Sequence, residues 1–309
     1  MKKINLITGG AGFIGSQLTE RLLIENEKVI CIDNLSFGSE KNIERFKSNN
    51  NFKFIRYDIQ KILDFKVDKI WHLASIVSPK SYLKNPIETI DICFLGTKNV
   101  LNLALKNNSK ILLASSSEIY GSPIISPQNE KYYGNVNCFA NRACYAEGKR
   151  ISETLFFEYK RIFNLNIKVA RIFNAYGPGS SFYDTRVIPS FIRGVKLNSS
   201  IKINGNGKQT RSFLYISDLI EGLIKLMDSN YCEPLNLGNY EEVSINLLSN
   251  LIISKLNKKV SVKYVKKISE EPISRKPCIK LAYSELNWLP KVNLSDGLDK
   301  TIQYFDLDN

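Results

Sequence analysis

Short apolar segments alternate with longer amphipathic segments through the first half of the chain. The apolar segments have the length of buried strands, and the amphipathic ones repeat with the period of helices. Such alternation predicts an α/β fold, a Rossmann-like doubly wound parallel sheet with helices on both faces. The predicted strands are 3–8, 28–32, 52–56, 68–73, 110–115 and 167–172, and the predicted helices are 13–25, 86–106 and 143–163.

The chain becomes less regular after residue 173. Glycine and proline cluster at 176–179, glycine and asparagine at 204–207. We interpret this part as a smaller substrate-binding lobe over the carboxyl edge of the sheet, where doubly wound folds bind ligands. We predict a Rossmann domain at 1–172 and a lobe at 173–309, some segments of which return to the first domain. Shorter helices are predicted near 187–197, 217–229, 244–256 and 296–306.

Composition narrows the class of protein. No apolar run is long enough to cross a bilayer, and the start leads straight into a strand, so we expect neither a membrane segment nor a secretory signal. The six cysteines lack Cys-x-x-Cys spacing, which indicates reduced thiols in a cytoplasmic protein. The single histidine, His72, ends a buried-looking strand, which favours a structural role and argues against a histidine-rich metal site.

The net charge of +13 raises the question of a nucleic-acid partner. The lysines are scattered, however, and no basic stripe interleaved with aromatic residues stands out. We therefore expect no nucleic-acid partner. A positive surface also suits an anionic small-molecule substrate.

A glycine-rich turn follows the first predicted strand. Gly9, Gly12 and Gly15 lie between that strand and a helix. Glycines at this spacing permit a tight turn, close approach of backbone to a pyrophosphate and close helix–strand packing. The second strand ends at Asp33, whose carboxylate can bind the adenosine ribose hydroxyls and would repel a 2′-phosphate. The sequence therefore predicts NAD rather than NADP as the cofactor.

Further cofactor contacts are expected from position along the sheet. Asp58 and Ile59 follow the third strand, where the adenine ring would lie. Leu73, Ala74 and Ser75 follow the fourth strand, near the expected nicotinamide ribose. The remaining predicted cofactor contacts are Phe13, Ile14, Asn34, Gly38, Tyr145 and Lys149.

Tyr145 stands four residues before Lys149 in the predicted helix 143–163. Four residues are about one helical turn, so both side chains point to the same face. An ammonium beside a phenol favours the phenolate, so we expect Lys149 to lower the pKa of Tyr145. Such a tyrosine can take a proton from a sugar hydroxyl and return it later. This pair is common on exposed helices, but here it follows a nucleotide-binding signature, which indicates an enzyme.

Longer motifs extend these two signatures over nearly the whole chain. In these motifs the chain resembles the extended short-chain dehydrogenases/reductases that modify sugar nucleotides, and among them the UDP-glucuronic acid decarboxylases. The segment Arg-Ala-Cys-Tyr-Ala-Glu-Gly-Lys-Arg at 142–150 is far more specific to that family than the glycine turn is. The motifs lie at 72–75, 78–82, 113–121, 134–137, 142–150, 170–178, 209–213, 275–277 and 286–290.

The resemblance implies roles for individual residues. Tyr145 would be the catalytic base, Lys149 its electrostatic partner, and Ser116 a hydrogen-bonding partner of the reacting sugar hydroxyl. Glu118 and Arg211 would lie near the carboxylate-bearing carbon. The implied substrate contacts also include Asn174 and Arg275 at the diphosphate, Arg186 and Tyr159 at the UDP pocket, and Ser78 and Tyr82.

The implied reaction is an NAD-dependent decarboxylation of UDP-glucuronate to UDP-xylose. C4 is oxidised, carbon dioxide leaves, and C4 is reduced again, and no metal is needed. The resemblance also implies a homodimer that pairs through the helices at 86–106 and 143–163.

Departures from the family motifs keep alternatives open. Asp91-Ile92-Cys93 stands where the family shows Lys-Thr-Asn, and an aspartate there argues against an anionic sugar. A 4-epimerase, a 4,6-dehydratase or a decarboxylase that releases the 4-keto sugar is therefore the alternative, although Ser117 stands where dehydratases carry an acid. A non-catalytic dinucleotide-binding protein is an alternative from another class, and the intact Ser116, Tyr145 and Lys149 argue against it.

Overall fold

The computed structural model describes residues 2–266 and 272–307. Its main sheet has seven parallel strands in the order β11-β6-β5-β4-β1-β2-β3. This order confirms the predicted Rossmann-like sheet. The strands are β1 (Ile4–Thr8), β2 (Lys28–Asp33), β3 (Phe52–Arg56), β4 (Lys69–His72), β5 (Lys110–Ser116), β6 (Ile167–Ile172), β7 (Ala175–Tyr176), β8 (Ile201–Asn204), β9 (Thr210–Arg211), β10 (Leu214–Tyr215), β11 (Pro234–Leu237), β12 (Val243–Ser244), β13 (Val262–Val265) and β14 (Ser274–Arg275).

Helices cover both faces of this sheet. Neighbouring residues of β1 point to opposite faces, so Ile7 packs in the core with the first and seventh helices, and Leu6 in the core with the fourth and fifth. Burial of both faces explains why the strands are almost continuously apolar. The helices are α1 (Phe13–Ile24), α2 (Pro79–Lys84), α3 (Pro86–Asp91), α4 (Thr97–Asn107), α5 (Ala143–Phe163), α6 (Val187–Lys196), α7 (Ile216–Asp228), α8 (Ile245–Leu256), α9 (Lys280–Leu286) and α10 (Leu294–Leu307).

The predicted helix 86–106 is interrupted. It consists of α3, one wider π-helical turn at Ile92–Gly96, and α4. The turn brings Gly96 against Ile59, where a β-carbon on Gly96 would lie 2.6 Å from the Ile59 side chain. A turn of this kind has no signature in the hydrophobic period, because the apolar positions on both sides keep the same face.

The later part of the chain contributes both to the main sheet and to the lobe above it. Strand β11 lies at the edge of the main sheet beside β6, and α7 packs on the sheet beside α1. Above the carboxyl edge, β12, β9 and β14 form a small three-stranded ribbon. In this ribbon Arg275 of β14 lies in register with Arg211 of β9. Two arginines are thereby presented side by side over the end of the main sheet.

In the described ranges, none of the helices combines the length and the apolar composition that a membrane crossing requires.

Candidate active site

A cavity of about 1060 Å³ lies along the carboxyl edge of the main sheet. The ends of β1, β2, β4 and β5 form one wall, and the opposite wall comes from segments after residue 173. This is the place where a doubly wound sheet binds its ligands. Its dimensions suit an elongated molecule that contacts both parts of the chain.

The glycine turn forms one end of this cavity. Gly9 has a positive φ of 71°, which is accessible to glycine at no steric cost. A β-carbon on Gly15 would lie 2.8 Å from the Gly10 α-carbon, so α1 can approach the turn only with glycine there. Gly12, Phe13 and Ile14 line the cavity at the start of α1, where helix N–H groups lack intrahelical partners. This arrangement fits a pyrophosphate group.

Asp33 lies beside this turn at the end of β2. Its Oδ2 accepts a hydrogen bond from the Ala11 N–H at 3.1 Å, and its Oδ1 accepts one from the Leu35 N–H at 2.8 Å. Burial raises the pKa of Asp33, and these two bonds oppose the rise. A β-carbon on Gly38 would lie 2.7 Å from the carboxylate, so Gly38 leaves room beside it. The carboxylate can still accept ribose hydroxyl groups through its remaining lone pairs.

The other predicted cofactor contacts lie along the same wall. Asn34, Asp58 and Ile59 line the cavity beyond Asp33. The loop after β4 is tied to the end of β1, because Thr8 Oγ1 accepts hydrogen bonds from two backbone N–H groups at 3.2 Å each. Those N–H groups belong to Leu73 and Ala74, which line the cavity together with Ser75.

Replacing Asp33 with asparagine is expected to weaken NAD binding about tenfold, because a charge-assisted hydrogen bond to the ribose becomes a neutral one. The same change should strengthen NADP binding, since the charge that repels a 2′-phosphate is removed. Tryptophan fluorescence titration with each dinucleotide measures both constants. Asp64→Asn, at an exposed ion pair with Lys106, is the matched control. Unchanged constants for both dinucleotides in the Asp33 variant would contradict this role.

Ser116, Tyr145 and Lys149 meet further along the cavity, where β5 ends beside the first turn of α5. Tyr145 and Lys149 are both buried, and Ser116 is hydrogen-bonded to the Tyr145 side chain. The Lys149 Nζ donates a hydrogen bond to the Ala114 carbonyl oxygen at 2.9 Å. The Tyr82 ring stacks on the Tyr145 ring, with centroids 5.2 Å apart and planes 2° from parallel. These contacts hold the phenol in one orientation.

The expected low pKa of Tyr145 is wrong for the protein alone. Burial raises the pKa of Tyr145 well above its usual value, and the hydrogen bond with Ser116 only partly opposes this. Burial also lowers the pKa of Lys149. The spacing of Tyr145 and Lys149 shows that their charges are close, but it does not show how much water each group loses on folding. This desolvation disfavours the charged form of both groups. Tyr145 is therefore a neutral phenol in the protein by itself.

Glu118 lies beside this group and is surrounded by guanidinium groups. Its Oε1 accepts a hydrogen bond from Arg142 Nη2 at 3.0 Å and a short one from Arg275 Nη1. Burial alone would raise the pKa of Glu118, but the charges of Arg275 and Arg142 outweigh it and hold that pKa below its usual value. Arg211 lies near enough to lower it further. One carboxylate and three cations leave a net positive charge here.

Arg275, which the resemblance puts at the diphosphate, lies beside Glu118. Its guanidinium pairs with Glu118 and donates to the Gly121 carbonyl oxygen at 3.1 Å. Its Nε is buried and has no hydrogen-bond partner in the part of the chain that the structure describes. A buried donor of this kind is costly unless a ligand oxygen satisfies it. This geometry places Arg275 with the reactive groups.

Several predicted substrate contacts line the cavity on the side of the later segments. Asn174 Nδ2 donates to the Ser212 carbonyl oxygen at 2.9 Å. The Arg186 guanidinium is fixed by Asp184 and lies over the Phe13 ring, 5.6 Å from its centroid. Arg186 thus lies near the glycine turn. Residues of this predicted set that line the cavity are Ser78, Tyr82, Asn174, Arg186, Arg211 and Arg275.

Tyr159 does not join them. It lies more than three turns beyond Tyr145 on α5, outside the cavity lining, and its hydroxyl donates to Asn102 Oδ1 of α4 at 2.6 Å. The prediction of Tyr159 as a substrate contact is therefore wrong for this cavity. Asp91 is also outside the lining, at the end of α3. The charge of Asp91 therefore does not face a sugar bound in this cavity.

His72 is buried and hydrogen-bonded on both ring nitrogens. Nδ1 pairs with Thr8 Oγ1 at 2.9 Å and Nε2 with Thr97 Oγ1 at 3.1 Å. Burial, with the charge of Lys149, lowers its pKa to about 3. A neutral imidazole bound to two hydroxyl groups ties β4 to β1 and α4. This is the structural role that its position in the sequence favours.

The sequence alone assigns no role to Arg142, although this residue stands within the motif at 142–150. Arg142 Nε donates to the Tyr82 hydroxyl at 2.8 Å while its Nη2 reaches Glu118. It therefore connects the ring that stacks on Tyr145 with the carboxylate of the charged cluster. An arginine three residues before Tyr145 is visible in the sequence, but the direction of its side chain depends on the tertiary fold.

The fold and this site together define a class. A Rossmann-like sheet whose glycine turn faces a Ser-Tyr-Lys group is typical of a short-chain dehydrogenase/reductase of the extended kind. The chain belongs to the NAD dependent epimerase/dehydratase family, whose model matches residues 5–238. NAD is accordingly the cofactor, as Asp33 predicted.

Relatives and solved structures agree with this assignment. The chain is 43% identical over 304 residues to UDP-glucuronic acid decarboxylase 1 of Danio rerio, covering 98% of this chain and 73% of that protein. It is 44% identical over 295 residues to UDP-glucuronic acid decarboxylase 3 of Arabidopsis thaliana, covering 95% and 86%. A crystal structure of UDP-glucuronic acid 4-epimerase from Bacillus cereus with UDP-glucuronic acid and NAD matches with a TM-score of 0.90 at 26% identity, covering 99% and 100%.

Proposed function

We propose that this protein decarboxylates UDP-glucuronate to UDP-xylose with NAD as a bound cofactor. The observation that carries the proposal is the cluster of Arg142, Arg211 and Arg275 around Glu118, next to Tyr145 in one cavity. Its net positive charge matches a sugar that carries a carboxylate. The relatives named UDP-glucuronic acid decarboxylases, alike over almost the whole chain, support the same reaction.

The residues that would hold NAD follow from the fit of the cavity. The N–H groups at the start of α1 would bind the pyrophosphate, and Asp33 the adenosine ribose. Asp58 and Ile59 would lie at the adenine, and Leu73 to Ser75 at the nicotinamide ribose together with Lys149. When bound, NAD accepts a hydride from the sugar, returns it later, and brings a positive charge on its ring.

Tyr145 would remove the proton of the C4 hydroxyl group. The protein alone keeps Tyr145 as a phenol, so its ionisation depends on positive charge near the ring, to which Lys149 contributes. Ser116, hydrogen-bonded to Tyr145, would bind the same sugar oxygen. The two side chains therefore hold O4 and control its proton.

The 4-keto sugar that results is a β-keto acid and loses carbon dioxide readily, because the electrons of the broken bond enter an enolate. Ser116 and the protonated Tyr145 would donate hydrogen bonds to the enolate oxygen. C5 would then take a proton from a donor such as water in place of the bond lost with carbon dioxide, and O4 would regain its proton from Tyr145 as C4 is reduced. Arg275 and Arg211 would bind the carboxylate before it leaves. Glu118 is held ionised by its arginines, so its role is to orient these guanidinium groups rather than to donate a proton.

Incubation of the purified protein with UDP-glucuronate and NAD is expected to release carbon dioxide and to form UDP-xylose. Carbon dioxide is measured by trapping it from carboxyl-labelled substrate, and the sugar nucleotide is identified by proton NMR. Carbon dioxide with a UDP-4-keto-pentose would show that the final reduction is lacking. Retained carboxylate with inverted C4 would show an epimerase and contradict the proposal.

We also propose that the protein is a homodimer. Apolar side chains that are partly to largely exposed lie together on α3, the π-helical turn and α5, around a groove that includes Ile90, Phe94 and Ile151. Ile87 on α3 is 75% exposed. An apolar patch of this kind is unfavourable in water and often marks a protein interface. The same face on a second copy would cover it through four helices. A single monomeric species in sedimentation velocity would contradict this assembly.

We further propose a cytoplasmic location. All six cysteines are free thiols in the structure, which suits a reducing compartment. Fractionation of the source cells with an antibody tests this, and recovery outside the cytoplasmic fraction would contradict it.

A further inference from the structure

A buried ion pair joins α5, the helix of Tyr145 and Lys149, to β6. It has no part in the reaction proposed above. Glu153 of α5 and Arg171 of β6 are 7% and 8% exposed. Arg171 Nη2 donates to Glu153 Oε2 at 2.8 Å, and Nε donates to Oε1 at 3.1 Å. The contact is a two-pronged one between planar groups, the strongest geometry for such a pair.

The pair is part of a closed hydrogen-bond network. The Ser115 hydroxyl donates to Glu153 Oε1 at 2.5 Å, and Ser115 immediately precedes Ser116. Arg171 Nη1 donates to the Tyr120 hydroxyl at 3.1 Å and to the Glu130 carbonyl oxygen at 2.9 Å. Glu153 thereby joins the helix that carries Tyr145 to the strand that carries Ser116.

Glu153 also stands four residues after Lys149, on the same face of α5. Lys149 is buried, and burial lowers its pKa, while Cys93 and then Glu153 act in the opposite direction. The titratable groups around Lys149 also include His72 from β4, which is neutral, and Tyr145 from α5. Glu153 is the carboxylate among these groups, and Arg171 is its ion-pair partner.

Stability alone does not account for this pair. Moving two charges out of water is costly, and apolar residues of similar volume serve a core as well or better. Glu153 lies one helical turn from Lys149, so its charge can act on that ammonium group. The ion pair also fixes the helix that carries Tyr145 and Lys149. This coincidence suggests that it serves the chemistry.

We infer that Glu153, fixed by Arg171 and Ser115, is a positioning residue that keeps Lys149 protonated and holds α5 in register with β5 at the site. The inference rests on the proposed function for its turnover assay. Glu153 itself does not contact the substrate. It acts on Lys149 through its charge, which a residue that only packs would not do.

The test is the pH dependence of the Glu153→Gln variant, which keeps the shape of the side chain and removes its charge. Without that charge the Lys149 ammonium is less favoured, so its pKa falls and the proton is lost at lower pH. The alkaline limb of the kcat profile should move down by about one pH unit. The alkaline loss of NAD affinity, followed by fluorescence titration, should move in the same direction, because Lys149 is proposed to contact the nicotinamide ribose.

Two variants control this experiment. Glu158→Gln makes the same change at an exposed ion pair further along α5 and should leave both profiles in place. Glu153→Asp keeps the charge but shortens the reach, so kcat should fall while the alkaline limb stays near that of the wild type. Glu153→Gln could instead lower kcat at every pH and leave both the alkaline limb of kcat and the alkaline loss of NAD affinity unmoved. That result would overturn the inference and leave only a packing role.

Glu153→Gln leaves Arg171 as an unpaired buried charge, which endangers folding. The double variant Glu153→Gln with Arg171→Gln removes both charges and should show a smaller shift in the same direction, since Glu153 is the nearer charge on the helix of Lys149. An unmoved profile in the folded double variant would also overturn the inference. Wild-type protein without turnover would instead refute the proposed function, and the NAD titration would still decide the role of Glu153.

Discussion

Replacing Tyr145 with phenylalanine is expected to lower turnover of UDP-glucuronate by about 10³-fold. Phenylalanine keeps the ring that stacks on Tyr82 but removes the oxygen that we propose as the base for the O4 proton. NAD binding should stay within about twofold of the wild type, because the glycine turn and Asp33 lie elsewhere in the cavity. Steady-state release of carbon dioxide and fluorescence titration with NAD measure the two effects.

Tyr159→Phe is the matched control for this change. It removes a hydroxyl group from a tyrosine of the same helix that lies outside the cavity lining and bonds to Asn102. Turnover in that variant should remain near the wild-type value. Wild-type turnover in the Tyr145 variant would remove this phenol from the mechanism, and equal losses in both variants would indicate damage to α5.

Replacing Arg275 with alanine is expected to lower kcat by about a hundredfold, because a buried cation aimed at the charged reaction centre is lost. The affinity for UDP, measured as a competitive inhibitor, should change little. Thermal unfolding should also shift downward, because Glu118 then keeps only part of its compensating charge.

Replacing Arg211 with alanine distinguishes the role of Arg211 from that of Arg275, the other arginine of the ribbon. Arg211 donates to its own neighbour, the Thr210 carbonyl oxygen, at 2.7 Å and acts on Glu118 through space. Its loss should also reduce kcat more than UDP affinity, but by a smaller factor than the loss of Arg275. If Arg275→Ala mainly weakened UDP binding and left kcat intact, Arg275 would belong at the diphosphate, as the sequence suggested.

Much of the fold could be predicted because its strands are buried on both faces and its helices are amphipathic. The six predicted strands of the main sheet differ from the observed ones by at most one residue at each end. Strand β11 was missed, since Pro-Leu-Asn-Leu is too short to show a period and its proline is tolerated at the start of an edge strand. The helix α9 was missed for a similar reason, because its seven residues span only about two turns.

The site was predictable where local spacing fixes the geometry. Tyr145 and Lys149 are one turn apart, and the glycines of the turn all lie within residues 9–15, so their arrangement follows from the chain itself. The partners of Glu118 do not follow in this way, because Arg275 is 157 positions away in the chain. Arg142 and Tyr159 show the same limit, since the side of a helix that faces a cavity is decided by packing partners.

The pKa of Tyr145 could not be predicted from spacing for a different reason. A neighbouring charge is visible in the sequence, but the loss of water around the phenol is not. Tyr82 and Glu118, which enclose this phenol, come from separate segments and add to the rise. Only the folded chain reveals that the desolvation dominates.

Because of the ribbon of β12, β9 and β14, two sets of site residues lie on separate structural units. The main sheet and the helices packed on it carry Ser116, Tyr145 and Lys149, while Arg211 and Arg275 lie on a small ribbon that shares none of its strands with that sheet. Substrate choice can therefore diverge through changes in a few ribbon residues without rebuilding the redox machinery.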